Sequence, residues 1–107
     1  MNFNEYQDKA RKTAIYHRDY SIIYPALGLA NEAGEVLGVI KKGLRDNTGS
    51  ADQVRESSKK ELGDVLWYLA ILADDLDIRL QDVAADNLMK LRSRKKRGVI
   101  GGSGDDR

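Results

Sequence analysis

Apolar residues recur every three or four positions along most of the chain, and this spacing predicts helices rather than strands. The pattern runs through four segments, at about 3–17, 25–45, 52–77 and 80–96. Asn2 or Asn4 is suited to cap the first segment, and Ser50 or Asp52 the third. Proline occurs once and the β-branched residues form no alternating runs. We therefore expect an all-α fold, a four-helix bundle.

The third segment contains an apolar run from Leu62 to Ala73 in which Asp64 is the only charged residue. Glu61 precedes Asp64 by three positions, so both carboxylates lie on the same side of a helix. Two anions beside such an apolar surface repel each other and are costly to desolvate unless a positive partner meets them. The apolar face is wide, with Leu62, Val65, Leu66, Leu69, Leu72, Ala73 and Leu76 on one side and Trp67 and Ile71 on the far side. Such a helix is central to a bundle or shared between subunits, which predicts a homodimer or homotetramer.

The second segment carries a second acidic pair with the same spacing, Glu32 and Glu35. They project from the side opposite an apolar stripe. The stripe consists of Leu27, Ala30, Ala33, Leu37, Ile40 and Leu44. Val36 and Val39 flank the two glutamates, so this helix has apolar residues on both sides. We expect it to be packed on both sides, with Glu32 and Glu35 facing an interior or an interface.

Four carboxylates on two consecutive helices can converge on one site if the helices pack antiparallel. Their combined charge of about −4 requires cations. Hard oxygen ligands without sulfur favour Mg²⁺, with Mn²⁺ as the plausible substitute. A di-iron bundle also needs histidines three residues after glutamates, and the only histidine, His17, lacks that spacing. A single acidic pair on a helix is usually a solvated face, but two consecutive pairs favour a metal site.

Mg²⁺ held by carboxylates commonly takes substrate phosphates as further ligands, which points to phosphoryl chemistry. On the fourth segment Asn87, Lys90 and Arg94 stand where apolar residues are expected. The two cations suit phosphate oxygens, and Asn87 suits a sugar or base. Tyr68, one turn after Asp64, offers stacking or a hydroxyl. For the rest of the basic run, 90–97, a solvated helix end is the commoner explanation.

Two further segments leave alternatives open. Residues 17–24 carry three rings, His17, Tyr20 and Tyr24, and form either a loop at the core edge or one lining a planar ligand. Residues 98–107 are rich in glycine and form no regular element; they are disordered or act as a strap ordered by a ligand or partner. We therefore divide the chain into a helical domain, 1–97, and a tail, 98–107.

Composition narrows the function classes. A chain of 107 residues has the length of one domain. Its net charge of +1 gives no global bias toward nucleic acid or membrane. The chain has no cysteine, which excludes disulfides and thiolate metal sites. No apolar run has the length of a membrane span and no signal peptide is evident, so we expect a cytoplasmic protein.

The strings GLANEAGEVLGVIKKGLR and KKELGDVLWYLAILADDL resemble the two signature helices of the MazG-like, all-α nucleoside triphosphate pyrophosphohydrolases. The family is marked by ExxE, a spacer and ExxD; here 25 residues separate Glu35 from Glu61. The opening FNEYQDKARKTA, the later NLMKLRSRKKRG and the final GGSGDDR are similar to small bacterial and phage members. The resemblance covers essentially the whole chain.

The resemblance implies Mg²⁺-dependent hydrolysis of a (deoxy)nucleoside triphosphate to the monophosphate and pyrophosphate. Carried over by motif, the metal ligands and catalytic residues are Glu32, Glu35, Glu61 and Asp64, one of which orients or deprotonates the attacking water. The substrate-binding residues are expected to be Tyr68, Asn87, Lys90 and Arg94. Asn31 departs from relatives with a small residue or another acid there, which puts the number of metal ions in doubt.

The family also implies a dimer or a dimer of dimers built from four-helix units. Two other functions remain as alternatives. One is a helical oligomer that binds nucleotides without turning them over. The other is a nucleic-acid-binding adaptor that uses the basic run 90–97, which the near-neutral net charge and the acidic pairs make unlikely.

Overall fold

The computed structural model describes residues 1–46 and 51–107, and in these ranges it contains helices and no strand. The four α-helices are α1 (Phe3–Arg11), α2 (Ile23–Asp46), α3 (Ala51–Asp75) and α4 (Leu80–Lys96). A short 3-10 helix, Arg18–Tyr20, lies in the loop between α1 and α2. The prediction of an all-α fold is confirmed. The proposed cap Ser50 lies outside the described residues, and α3 begins with Asp52 in its first turn.

Helix α1 begins as predicted but ends sooner. The Asn2 side chain accepts a hydrogen bond of 2.9 Å from the backbone N–H of Glu5, and this caps the helix. The helix ends at Arg11 rather than near residue 17. Beyond it, the Thr13 hydroxyl donates a 2.7 Å bond to the carbonyl of Ala10. Such local side-chain bonds to the backbone compete with continuation of a helix.

Helices α2 and α3 form an antiparallel hairpin and share the most extensive helix contact of the fold. Gly28 on α2 lies against Tyr68 on α3, while Gly43 lies against Val54. As the residue number rises on one helix, it falls on the other by nearly the same amount. This register brings the Glu32 turn to the turn that carries Asp64.

Helix α1 is fastened across α3 and the start of α4 by Gln7, which is fully buried. Its amide nitrogen donates to the carbonyls of Ala70, at 3.1 Å, and Ile78, at 2.9 Å. Its amide oxygen accepts a 3.1 Å bond from the N–H of Leu80. A buried amide is tolerated here because its polar atoms have partners.

The buried core lies where α1 crosses the C-terminal half of α3. The buried apolar residues of this core are Ala10, Ala70, Ile71, Ala73 and Leu80. Ile71 is completely buried, although the wide apolar face was predicted on the other side of α3. The reason is that α1 packs over the side that carries Ile71, which helical periodicity within α3 does not reveal.

The apolar stripe of α2 is largely uncovered. Leu37 is 68% exposed and Leu44 is 80% exposed, whereas Val36 and Val39 on the acidic side are half-buried against α3. In the described part of the chain, α2 is therefore packed on one side only. None of the described helices is long and apolar enough to cross a membrane.

The tail, 98–107, folds back on itself and onto α4 rather than extending away. The guanidinium of Arg107 donates to four backbone carbonyls, those of Val99, Ile100, Gly101 and Gly104, at 2.5–3.2 Å. Gly98, Gly102 and Gly104 have positive φ, which glycine adopts without strain. The division between a helical domain, 1–97, and a tail, 98–107, remains a prediction.

Candidate active site

Three of the four predicted metal ligands come together between α2 and α3. Glu32, Glu61 and Asp64 each offer a carboxylate oxygen, and these oxygens all lie within 4.8 Å of one another. Opposite ligands of a Mg²⁺ ion with bonds of about 2.1 Å stand roughly 4.2 Å apart. Small side-chain rotations are therefore enough to bring the three oxygens onto one ion. The site is open, because Glu32 and Glu61 are half-buried and Asp64 is exposed.

The cluster is electrostatically unfavourable without a cation. Partial burial and the negative charges of Asp64, Glu61 and Glu35 raise the pKa of Glu32, and a hydrogen bond shared with Glu61 has the same effect. Such a shift means that the ionised form of Glu32 is disfavoured where it stands. A divalent cation reverses this preference, and the all-oxygen donor set fits Mg²⁺. The residues present therefore fit the predicted metal.

Glu35 stands apart from this group of three. It is exposed on α2, one turn after Glu32, and close enough to contribute to the raised pKa of Glu32. It is not among the carboxylates whose oxygens cluster within the described residues. The spacing of the pair places both glutamates on one side of α2. The antiparallel register of α2 and α3 brings Glu32, and not Glu35, into the group with Glu61 and Asp64.

A row of aromatic rings leads away from the carboxylates. Tyr68 is half-buried on α3, and the charges of Glu32 and Asp64 contribute to its raised pKa, after burial and the neighbouring Tyr24. The Tyr68 and Tyr24 ring centres are 6.3 Å apart, and Tyr24 stacks on Tyr16 at 4.8 Å. Tyr24, which was predicted to lie in the ring-bearing loop, thus lies in the first turn of α2 and beside Tyr68.

The close approach of α2 to Tyr68 depends on Gly28. A Cβ at this position would lie 2.1–2.5 Å from three carbons of the Tyr68 ring. No side chain larger than hydrogen fits unless the ring moves. Sequence periodicity gave no indication of this contact, because it joins residues far apart in the chain.

Lys90 and Arg94, the predicted phosphate-binding cations, are held by the tail. The Lys90 ammonium lies 2.9 Å from a carboxylate oxygen of Asp105, and Arg94 bonds both that oxygen, at 3.2 Å, and the Asp105 carbonyl. Asn87 is exposed on α4. In the described ranges, none of these three side chains hydrogen-bonds to the clustered carboxylates, so their role as substrate ligands remains a prediction.

A second charged site, which sequence analysis missed, joins α1 to the end of α3. Arg11 pairs with both Asp74 and Asp75. Asp75 also accepts bonds from the Tyr16 hydroxyl, at 2.6 Å, and from the N–H of Ile22, at 2.8 Å. A cavity of about 650 Å³ is lined by Arg11, Tyr16, Asp74 and Asp75. No pattern within one helix signals the site, because its members come from three segments.

The Asp75 carboxylate is stabilised in its charged form. Its burial by itself opposes ionisation, but the bonds from the N–H of Ile22, from Tyr16 and from Arg11 outweigh burial and lower the pKa of Asp75. Burial by itself lowers the pKa of Arg11, but its bonds with Tyr16, Asp75 and Asp74 outweigh burial and raise that pKa. Because Arg11 is paired with both Asp74 and Asp75, this charged site is a structural anchor of the loop between α1 and α2.

The fold and the carboxylate cluster together define an all-α protein with a candidate divalent-cation site between two antiparallel helices. The sequence model described as the MazG nucleotide pyrophosphohydrolase domain matches residues 25–99, so the chain belongs to this family. The matched range includes α3, α4 and all of α2 except its first two residues, and thus all three clustered carboxylates.

The chain is also similar to the protein named Gene 37 protein of Mycobacterium phage L5. The two are 46% identical over 114 residues, and the alignment covers 100% of each chain. No solved structure gives a significant match. Family membership confirms the resemblance and suggests nucleotide pyrophosphohydrolase activity.

Proposed function

We propose that this protein hydrolyses a (deoxy)nucleoside triphosphate to the monophosphate and pyrophosphate in a Mg²⁺-dependent reaction. The observation that carries the proposal is the convergence of Glu32, Glu61 and Asp64 within 4.8 Å in a chain of the MazG family. When bound, the metal supplies charge neutralisation for phosphate oxygens and acidifies water. Mn²⁺ is an alternative ion, because it accepts the same oxygen ligands.

In this reaction the protein binds the metal ion and the substrate and orients them. The three clustered carboxylates bind the cation, and their placement on two packed helices keeps their positions rigid. Tyr68, beside Tyr24 and close to the carboxylates, is suited to contact the sugar or base. Asn87, Lys90 and Arg94 are the further proposed substrate contacts.

Glu35 has a separate proposed role. It lies one turn from Glu32, outside the three clustered carboxylates, and is exposed to solvent. A carboxylate in this position is able to orient the attacking water and accept its proton. If its side chain instead turns inward, it becomes a fourth metal ligand, and the variants considered in the Discussion separate the two roles.

The activity test is phosphate release from a panel of dNTPs and NTPs with Mg²⁺, with inorganic pyrophosphatase either added or omitted. We expect release only when the pyrophosphatase is present, because cleavage between the α and β phosphates yields pyrophosphate. Direct release of orthophosphate would indicate cleavage of another bond. Binding of Mg-nucleotide without any product would instead indicate a nucleotide-binding protein.

We further propose that the protein is a homodimer or homotetramer in which the α2 stripe packs against another copy. Leu27, Leu37 and Leu44 are 64%, 68% and 80% exposed. A stripe of such side chains along one helix face is costly to leave in water. The substrate is the proposed small-molecule partner; a membrane is not proposed, and nucleic acid is disfavoured. The cytoplasmic location inferred from the sequence remains a prediction.

A further inference from the structure

Two cations on α4 share a single anionic partner that comes from the tail. Lys90 and Arg94 both bond Asp105, and these bonds lower the pKa of the Asp105 carboxyl. Asp105 itself remains 78% exposed as a side chain. The exposed carboxylate of Asp105 thus binds both positively charged side chains at once.

Asp105 satisfies only part of the hydrogen-bonding capacity of the Arg94 guanidinium. Its side chain is only 7% exposed, and it bonds Asp105 through one terminal nitrogen. Its Nε is buried and has no hydrogen-bond partner in the part of the chain that the structure describes. Guanidinium groups bind phosphate and carboxylate best through two parallel bonds. An anion that reached both Nε and Nη2 would use the donor that Asp105 leaves unsatisfied.

Hydrogen bonds within the tail hold residues 98–107 together as one unit. Arg107 organises residues 99–104 by donating to their carbonyls, and Arg97 donates a 2.8 Å bond to the Arg107 carbonyl. The side chains of Lys90 and Arg94 are bonded to this unit through Asp105, whereas the bond from the N–H of Val99 goes to the backbone carbonyl of Arg94. In the Lys90–Asp105 pair the side chains are 40% and 78% exposed, and an ion pair with this much solvent access is weak. A stronger anion is therefore able to replace Asp105 at Lys90 and to use the unsatisfied Nε of Arg94 as well.

We propose that residues 98–107 form a displaceable strap, in which Asp105 occupies a phosphate-binding site made by Lys90 and Arg94 and competes with the phosphate groups of a nucleotide. This rests on the proposed function in one respect, the binding of substrate phosphates by those two cations. The apparent affinity for the phosphate ligand then equals the intrinsic affinity multiplied by the fraction of time that the strap is undocked. The strap therefore keeps the site closed until a polyphosphate of sufficient affinity arrives.

The test uses the full chain and inorganic tripolyphosphate as the probe, with EDTA present so that the carboxylate cluster holds no metal. We expect Asp105→Asn to bind tripolyphosphate about three- to tenfold more tightly than the unmodified protein in calorimetry, because the competing charge is gone. Asp106→Asn is the matched control. It removes the same charge one position away, where the described residues offer no ion pair, and should stay within about twofold of the unmodified protein.

Two further measurements complete the test. Adding Lys90→Ala to Asp105→Asn should abolish the gain, and tripolyphosphate should speed hydrogen exchange of the amides in 98–107 of the unmodified protein. The proposal is overturned if Asp105→Asn binds no better than Asp106→Asn, if no variant binds tripolyphosphate, or if the ligand protects the tail. Displacement of the tail in a protein that hydrolyses no nucleotide would contradict only the proposed function. Hydrolysis without any effect of Asp105→Asn would contradict only the strap.

Discussion

Single substitutions distinguish the roles of the carboxylates between α2 and α3. Glu61 belongs to the group whose oxygens lie within 4.8 Å, and Glu35 does not. We expect Glu61→Gln to weaken Mg²⁺ binding at least tenfold and to lower turnover about a hundredfold or more, because a ligand is lost. Glu35→Gln should lower kcat about tenfold to a thousandfold while Mg²⁺ affinity changes little, since a proton acceptor is lost.

These variants are measured by Mg²⁺ titration and by pyrophosphate release. The control is Glu56→Gln, an exposed acid on the same helix and outside the cluster, which should leave both quantities unchanged. If Glu35→Gln weakens Mg²⁺ as much as Glu61→Gln does, then Glu35 is a ligand and not the acceptor of the water proton. The metal-free Glu61→Gln protein should be more stable by up to about 1 kcal/mol, because repulsion within the cluster is relieved.

Asp75 links stability to acid pH. Its pKa is lowered in the folded protein, so its contribution to the free energy of unfolding is present above the unfolded value of about 3.9 and is lost as the pH falls through the folded value. We expect Asp75→Asn to reduce stability by roughly 2–3 kcal/mol at pH 7, because Arg11 loses its charged partner.

Urea unfolding at pH 7 and pH 3 checks this prediction. The difference between Asp75→Asn and the unmodified protein should shrink at pH 3, because this pH lies below the unfolded pKa of about 3.9 and the stabilising contribution of the ionised form is being lost there. The control is Asp86→Asn, which is exposed on α4 and should change stability little at either pH. An equal loss at both pH values would mean that the charge of Asp75 is unimportant.

Two helices end in the same way with different residues. In α3 the N–H of Ile78 bonds the carbonyl of Ala73, and Asp77 has φ 58°. In α4 the N–H of Val99 bonds the carbonyl of Arg94, and Gly98 has φ 72°. Both are Schellman ends, in which glycine is favoured at the left-handed position. Asp77 therefore has a strained backbone conformation. Its carboxylate also adds a negative charge to the negative end of the helix dipole.

We expect Asp77→Gly to raise the free energy of unfolding by about 0.5–1 kcal/mol, because glycine removes the backbone strain. Gly98→Ala should lower it by about 1 kcal/mol for the converse reason, although a Cβ there would meet nothing within 4 Å. Thermal and urea unfolding measure both. Asp77→Asn separates the effect of charge from that of conformation. A destabilised Asp77→Gly variant would show that the carboxylate has a contact that outweighs the strain.

At the scale of the whole molecule, the described ranges 1–46 and 51–107 leave the α2 stripe uncovered. Leu37→Glu places a charge in the centre of this stripe, and burying an unpaired charge between subunits is strongly unfavourable. We expect the variant to dissociate into monomers, measured by analytical ultracentrifugation. The control is Ile15→Glu, because Ile15 is 97% exposed in the loop after α1 and lies off the stripe. If Leu37→Glu leaves the mass unchanged, then the α2 stripe is not the subunit interface.

The sequence by itself determined the helices, because spacing of three and four residues is a local property of the chain. It located α4 to the residue and paired Glu61 with Asp64. It extended α1 too far, because the side-chain bonds beyond Arg11 are not part of any periodic pattern. The sequence also predicted Glu32 and Glu61 as metal ligands, since each belongs to a motif readable along one helix, and this role remains a prediction.

The tertiary structure decided which side chains meet. The antiparallel register of α2 and α3 brought Glu32 to Glu61 and Asp64 and left Glu35 apart. The crossing of α1 buried Ile71, and the folding back of the tail gave Lys90 and Arg94 a partner in Asp105. Each of these contacts joins different elements of the fold. Their geometry depends on how whole helices pack, and no pattern within a single helix contains that information.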